Sequence, residues 1–125
     1  MILRIHHALI TIPPEAEAQA RQFYCEVLGL PEIPRPASLQ GLGGFWVQVG
    51  DRELHVGTES GVERHATKAH LAYQVDELAC WRSRLSAAGI VIQESIPIPG
   101  YARFECRDPF GNLLEFTQAL PATGG

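Results

Sequence analysis

Hydrophobic and polar residues alternate along 3–12, a stretch rich in Ile and Leu, and this period of two predicts a strand. Pro13-Pro14 ends it and opens a helix over 14–28. Glu15 and Glu17 suit the positive end of that helix, and Ala16, Ala20, Phe23, Tyr24 and Val27 form one apolar stripe. Gly29 is the stop. A short strand near 30–34 follows, then a Pro/Gly loop over 35–43, then strands over 44–49 and 52–57 joined by a hairpin at Gly50-Asp51. Residues 58–68 are polar and read as a linker. The order then returns. A strand covers 69–75, and a helix covers 77–88 with Asp76 as candidate N-cap and Gly89 as stop. Strands follow near 90–93, 101–107 and 112–118, the last two joined by a turn at Asp108-Pro-Phe-Gly-Asn112. Pro121 to Gly125 read as a frayed end. The predicted class is α+β, with the order βαβββ twice. One domain is expected over 1–125, its modules at about 3–57 and 68–118.

Bulk composition changes little in that picture. The chain has 125 residues, 46% hydrophobic and 19% charged, as expected of a globular domain. A net charge of -4 with no Lys/Arg cluster argues against nucleic acid as a partner. No apolar run approaches a membrane span, so no membrane partner is expected. The start lacks the charged, apolar and small-residue order of a signal peptide, and a cytoplasmic location is the expectation. Cys25, Cys80 and Cys106 are odd in number and unpatterned in spacing, and read as buried, reduced thiols.

Candidate chemistry lies in four residues at matching points of the two halves: His7, His55, His70 and Glu115. His7 to His55 spans 48 positions and His70 to Glu115 spans 45; His7 to Gly29 spans 22 and His70 to Gly89 spans 19. The shared offset of three fits a duplicated unit whose first helix is entered by a slightly longer segment. Strand parity puts His7 opposite Ala8, Ile10 and Ile12, His55 opposite Leu54 and Val56, His70 opposite Leu71, Tyr73 and Val75, and Glu115 opposite Leu114 and Phe116. All four ligand-type side chains therefore share the helix-free side of a curved sheet. Trp46, Tyr101, Arg103 and Glu105 fall on that side too, and are expected to line a cup with a cation at its base. His6 alternates to the helix side and reads as structural. His65, in the linker, reads as solvated, and Cys106 on the apolar face reads as core.

Neutral imidazoles with a carboxylate suit one divalent metal ion: Zn, Ni, Co, Mn or Fe. Such an ion polarises a carbonyl or enolate oxygen, or acidifies a water. Arg103 has the donor fork to grip a substrate carboxylate or phosphate, or it is a cross-strand partner of a nearby acid. Glu105 is either a proton-transfer base or the partner of Arg103. Trp46 is a substrate wall, or packing at a rim or dimer interface.

Four segments carry a resemblance: Ile5-His6-His7-Ala-Leu, Phe23-Tyr24-Cys-Glu-Val-Leu-Gly-Leu30, His70-Leu-Ala-Tyr-Gln-Val75 and Asp108-Pro-Phe-Gly-Asn-Leu-Leu-Glu-Phe116. With them the chain resembles the vicinal oxygen chelate superfamily, the group of glyoxalase I, bleomycin-resistance proteins, extradiol dioxygenases and fosfomycin-resistance proteins. The resemblance covers nearly the whole chain. It implies paired βαβββ modules in a cupped mixed sheet with helices on the convex face, usually in a homodimer. It implies metal ligands at His7, His70 and Glu115, with a fourth slot at His55. Glyoxalase I has a glutamate in that slot, whereas this chain keeps one carboxylate among the four. Fosfomycin transferases share the triad but carry a serine-containing cation loop where this chain has Pro99-Gly-Tyr-Ala-Arg103.

Three activities follow as expectations. One is a glyoxalase-like, lyase or isomerase-type metal enzyme acting on a small oxygen-chelating substrate, with His55 and Glu115 as catalytic residues. Another is an Fe(II) extradiol-type dioxygenase. The third is a bleomycin-resistance-like ligand-binding protein without catalysis. The donors can meet within one chain or across a dimer.

Overall fold

A computed structural model describes residues 1–122; the remainder of the expected frayed end, Thr123 to Gly125, lies outside the described residues. The chain divides into two compact units, residues 1–62 and residues 63 onward. The first contains β1 (His7–Ile12), α1 (Glu17–Arg21), β2 (Glu32–Ile33), β3 (Phe45–Val49) and β4 (Arg52–Thr58). The second contains β5 (His70–Gln74), α2 (Leu78–Ala87), β6 (Gln93–Glu94), β7 (Tyr101–Arg107) and β8 (Leu113–Ala119). Each is a βαβββ module with a four-stranded mixed sheet, in the orders β1-β4-β3-β2 and β5-β8-β7-β6. In each, the first strand lies parallel to the last and the other pairs are antiparallel. The predicted class and module order are what the structure contains.

The register settles which face each strand shows to the helix. Phe45, Val47, Leu54 and Val56 point to one side of the first sheet and are buried. The Arg21 guanidinium of α1 lies 4.7 Å above the Phe45 ring, which places the helix on that side. In the second sheet Phe104, Cys106, Leu114 and Phe116 form the corresponding buried face. Trp81 of α2 stacks on Phe116 at 5.5 Å and Phe104 stacks on it at 5.3 Å. The opposite face of each sheet, free of helix, carries His7 and His55 in one module and His70 and Glu115 in the other.

Several boundaries differ from the sequence reading for physical reasons. Strand β1 starts at His7, not residue 3. His7 pairs with Glu53, and the hairpin turn just before Arg52 leaves residues 3–6 nothing to pair with. The first helix starts at Glu17, not residue 14. Pro14 and Glu15 instead occupy a turn closed by the Ala16 N–H on the Pro13 carbonyl, with Glu15 at φ 68°. After Arg21 the helix widens into a π-helical turn over Gln22–Val27, where the Leu28 N–H reaches the Phe23 carbonyl. Gly29 and Gly89 stop the helices at φ 74° and 82°, as predicted.

Asp76 does not cap α2. The cap position is Glu77, with no side-chain cap bond of its own, and the Leu78 N–H is taken by Gln118 Oε1 of β8 at 2.9 Å. The short strand expected at 90–93 forms at Gln93–Glu94, where β7 offers Glu105 and Phe104 as partners.

The stretch expected as a plain polar linker is built into the second unit. Arg64 is buried, and Arg107 donates to the carbonyls of Arg64, Thr67 and Gly111. His65 is exposed, as expected, but its ring lies where a Cβ on Gly111 would meet it at 2.6 Å. Gly111 also has φ 107°, so a side chain there is excluded twice over. Asp108 completes this corner. Its Oδ1 accepts from the Phe110 and Asn112 N–H groups and its Oδ2 from Asn112 Nδ2.

Candidate functional site

In the second module β5 and β8 run side by side with Ala72 opposite Glu115, which brings His70 and Glu115 onto one face. His70 Nδ1 is 2.9 Å from the Lys68 carbonyl oxygen. A carbonyl can only accept, so Nδ1 carries the proton and Nε2 is left with its lone pair. That Nε2 lies 3.1 Å from Glu115 Oε1. Two lone-pair donors this close repel unless a proton or a cation sits between them. With no metal, the proton fills the role. The Lys68 bond, and then Glu115, raise the His70 pKa above its ordinary value, against an opposing effect of burial. A divalent cation can replace that proton, so the donor chemistry fits a metal.

Arg103 completes the group. Its Nη1 donates to the same Glu115 oxygen at 3.1 Å and lies 3.8 Å from Glu105, while Nε and Nη2 both hold the Ile96 carbonyl. The side chains of Arg103 and Glu115 are 14% and 12% exposed, so the pair is largely shielded from water. The cross-strand reading of Arg103 is thus realised. Glu105 is shared between Arg103 and the Ser95 hydroxyl, which donates at 3.1 Å. Tyr101 lies on the same face at the start of β7 and is exposed.

The first module holds its imidazoles differently. His55 is buried, stacked at 3.7 Å and 1° on Trp46 and at 4.1 Å and 18° on His7. Trp46 faces His55 because the two are directly paired across β3 and β4. His55 Nε2 lies 3.0 Å from Glu53 Oε1. His6 departs from expectation: it is exposed, outside any strand, and its Nδ1 is 3.0 Å from that of His7. Strand parity puts Glu53 on one face with His55, but the sequence reading does not place it among the candidate site residues.

The cysteines divide. Cys106 is core, and burial pushes its thiol up to about 12. Cys25 is half-buried. Cys80 is exposed, contrary to expectation, because it lies on a helix position turned from the sheet and beside Glu77. A cavity of about 240 Å³ beside Trp46 is bordered by Arg21, Glu32, Arg35 and Gln40. Another of about 470 Å³ lies near His65, Ile90, Gln93 and Arg107. Among the described residues no group of three or more His, Cys, Asp or Glu is gathered closely enough to hold a metal ion, and no helix is long and apolar enough to cross a membrane.

Comparison with known proteins adds three findings. The family profile described as Glyoxalase/Bleomycin resistance protein/Dioxygenase superfamily matches residues 4–116. A crystal structure of a glyoxalase family protein from Bacillus anthracis is 35% identical, with 96% of this chain and 98% of that one covered and a TM-score of 0.89. The fosfomycin resistance protein FosX from Listeria monocytogenes shares the fold at 15% identity, with 96% of each chain covered and a TM-score of 0.77; it has also been crystallised with Mn(II) and sulfate. No curated protein matches the chain.

Proposed function

The chain belongs to the Glyoxalase/Bleomycin resistance protein/Dioxygenase superfamily, and on that premise we propose that it is a divalent-metal enzyme of glyoxalase type, acting on a small substrate through adjacent oxygens. The observation that carries the proposal is the paired donor set of His70 Nε2 and Glu115 Oε1, held 3.1 Å apart with His70 Nδ1 tied to a carbonyl. His7, His55, His70 and Glu115 would hold the ion. When bound it supplies Lewis-acid polarisation of a carbonyl or enolate oxygen, or an acidified water.

The chain's own residues divide the remaining work. Arg103 holds the Glu115 carboxylate in place, and its unused N–H groups receive an anionic part of the substrate. Glu115 and His55 take up and return the proton in a lyase or isomerase-type step. Trp46 supplies an apolar wall, and Tyr101 and Glu105 border the substrate. A homodimer is part of the proposal, and the exposed Leu3, Ile5 and Leu9 give it apolar surface to bury.

One observation favours a second reading, a bleomycin-resistance-like protein that binds a ligand without reacting. It is the lack of a gathered three-residue donor cluster among the described residues. Elemental analysis of the purified chain, before and after chelation, separates the readings, with His7→Ala and His70→Ala alongside. One metal per chain, lost in both variants, is the expected result. Iron with oxygen-dependent turnover of a catechol would move the reading to a dioxygenase. No metal even after reconstitution would overturn the enzyme reading.

A further inference from the structure

His55 is held from three sides, and each contact removes a freedom. The Trp46 and His7 rings fix its plane, and burial shuts out bulk water. The third contact decides which nitrogen is offered. Glu53 Oε1 is 3.0 Å from His55 Nε2, and a carboxylate at neutral pH only accepts. Nε2 therefore carries the proton and Nδ1 holds the open lone pair. His70 is held differently: its Nδ1 is spent on the Lys68 carbonyl and its Nε2 faces the Glu115 carboxylate, where a proton or a cation sits between them.

We propose that Glu53 is a positioning residue for His55, locking it as the Nε2–H tautomer so that Nδ1 is the donor atom it presents to the metal. His55, on the last strand of its module, then presents Nδ1, whereas His70, on the first strand of its own and tied at Nδ1 to the Lys68 carbonyl, presents Nε2. The metal part rests on the proposed function above; the tautomer does not. Carboxylates set behind a ligating imidazole fix its tautomer and raise its basicity. Glu53 is well placed for this because its side chain is 29% exposed, so its charge is tolerated without a buried cation.

The experiment is a long-range ¹H–¹⁵N correlation of the histidine rings in the metal-free chain, well above the ordinary imidazole pKa of about 6.5. In the wild type His55 should be protonated on Nε2. In Glu53→Ala His55 should move to a mixture of tautomers while His70 stays unchanged. Mn(II) binding should weaken about 10- to 100-fold in Glu53→Ala. A wild-type His55 protonated on Nδ1 overturns the proposal, and needs no variant to fold. So does an unchanged His55 tautomer in Glu53→Ala, or a wild-type Mn(II) affinity in that variant. If neither protein takes up Mn(II), the metal-enzyme reading fails and the presentation of Nδ1 to a metal fails with it. The ring spectra then report on the lock alone.

Discussion

Replacing Glu115 with alanine separates the role of this carboxylate in the fold from its role in the site. The change removes the acceptor shared by His70 and Arg103, and leaves the Arg103 guanidinium in a place only 14% exposed. Breaking a buried ion pair from one side costs about 3–5 kcal/mol. Arg103 keeps its two bonds to the Ile96 carbonyl and has Glu105 at 3.8 Å, so its charge is partly compensated and the cost falls to about 2–3 kcal/mol. Domains of this size have about 5–15 kcal/mol in hand. Glu115→Ala should therefore fold and melt on the order of 10 °C lower. Its metal content should nevertheless fall from one equivalent to a small fraction, because one of the two donors flanking the shared proton is gone. The assay is circular-dichroism melting of the metal-free protein, paired with elemental analysis after reloading and desalting. A variant that keeps a full equivalent of metal refutes the site. One that melts at the wild-type temperature refutes the energetic argument for the Arg103 pair.

Three further outcomes are expected. Asp108→Ala deletes the acceptor for three hydrogen bonds at 2.8–2.9 Å in a buried corner, and should cost about 3 kcal/mol in urea unfolding; a loss below about 1 kcal/mol would show that water replaces them. Glu15→Gly relieves a left-handed residue at φ 68° and, after the extra chain entropy of glycine, should stabilise by roughly 0.5–1 kcal/mol; a lower melting temperature would contradict this. The raised His70 pKa means that its interactions stabilise the metal-free fold below about pH 6.5 and that this contribution fades as pH rises through the folded-state value. The unfolding free-energy gap between wild type and His70→Gln should thus narrow with rising pH, and a widening gap would reverse the sign of the argument.

The βαβββ order was legible because it depends on local signals that tertiary structure rarely overrides: alternation in strands, Gly29 and Gly89 as stops, and the Asp108 turn. The helix-free face of each strand was legible for the same reason, since parity alone puts His7, His55, His70 and Glu115 opposite the apolar residues. What escaped were features set by distant partners. The start of β1 depends on where β4 begins, 45 residues later, and no pattern inside residues 3–6 records that. The α2 N-terminus is satisfied by Gln118 of β8 instead of Asp76 beside it. The polar segment before β5 looks like a linker until Arg107 is seen to gather its carbonyls. Within the site, residue types announced the donors but not which nitrogen each imidazole offers. That depends on the Lys68 carbonyl and the Glu53 carboxylate, one of which is not a side chain at all.

The Trp46–His55 stack also gives the protein an optical reporter of its own. An indole lying flat on an imidazole loses emission when that imidazole becomes a better electron acceptor, as it does on gaining a proton or a metal ion. The chain has two tryptophans, and the other, Trp81, packs among Phe116 and Arg84 on the helix side of the second sheet. In a Trp81→Phe background all tryptophan fluorescence comes from one ring 3.7 Å from His55, and with excitation at wavelengths that tyrosine does not absorb, events at that histidine can be followed in real time without a label.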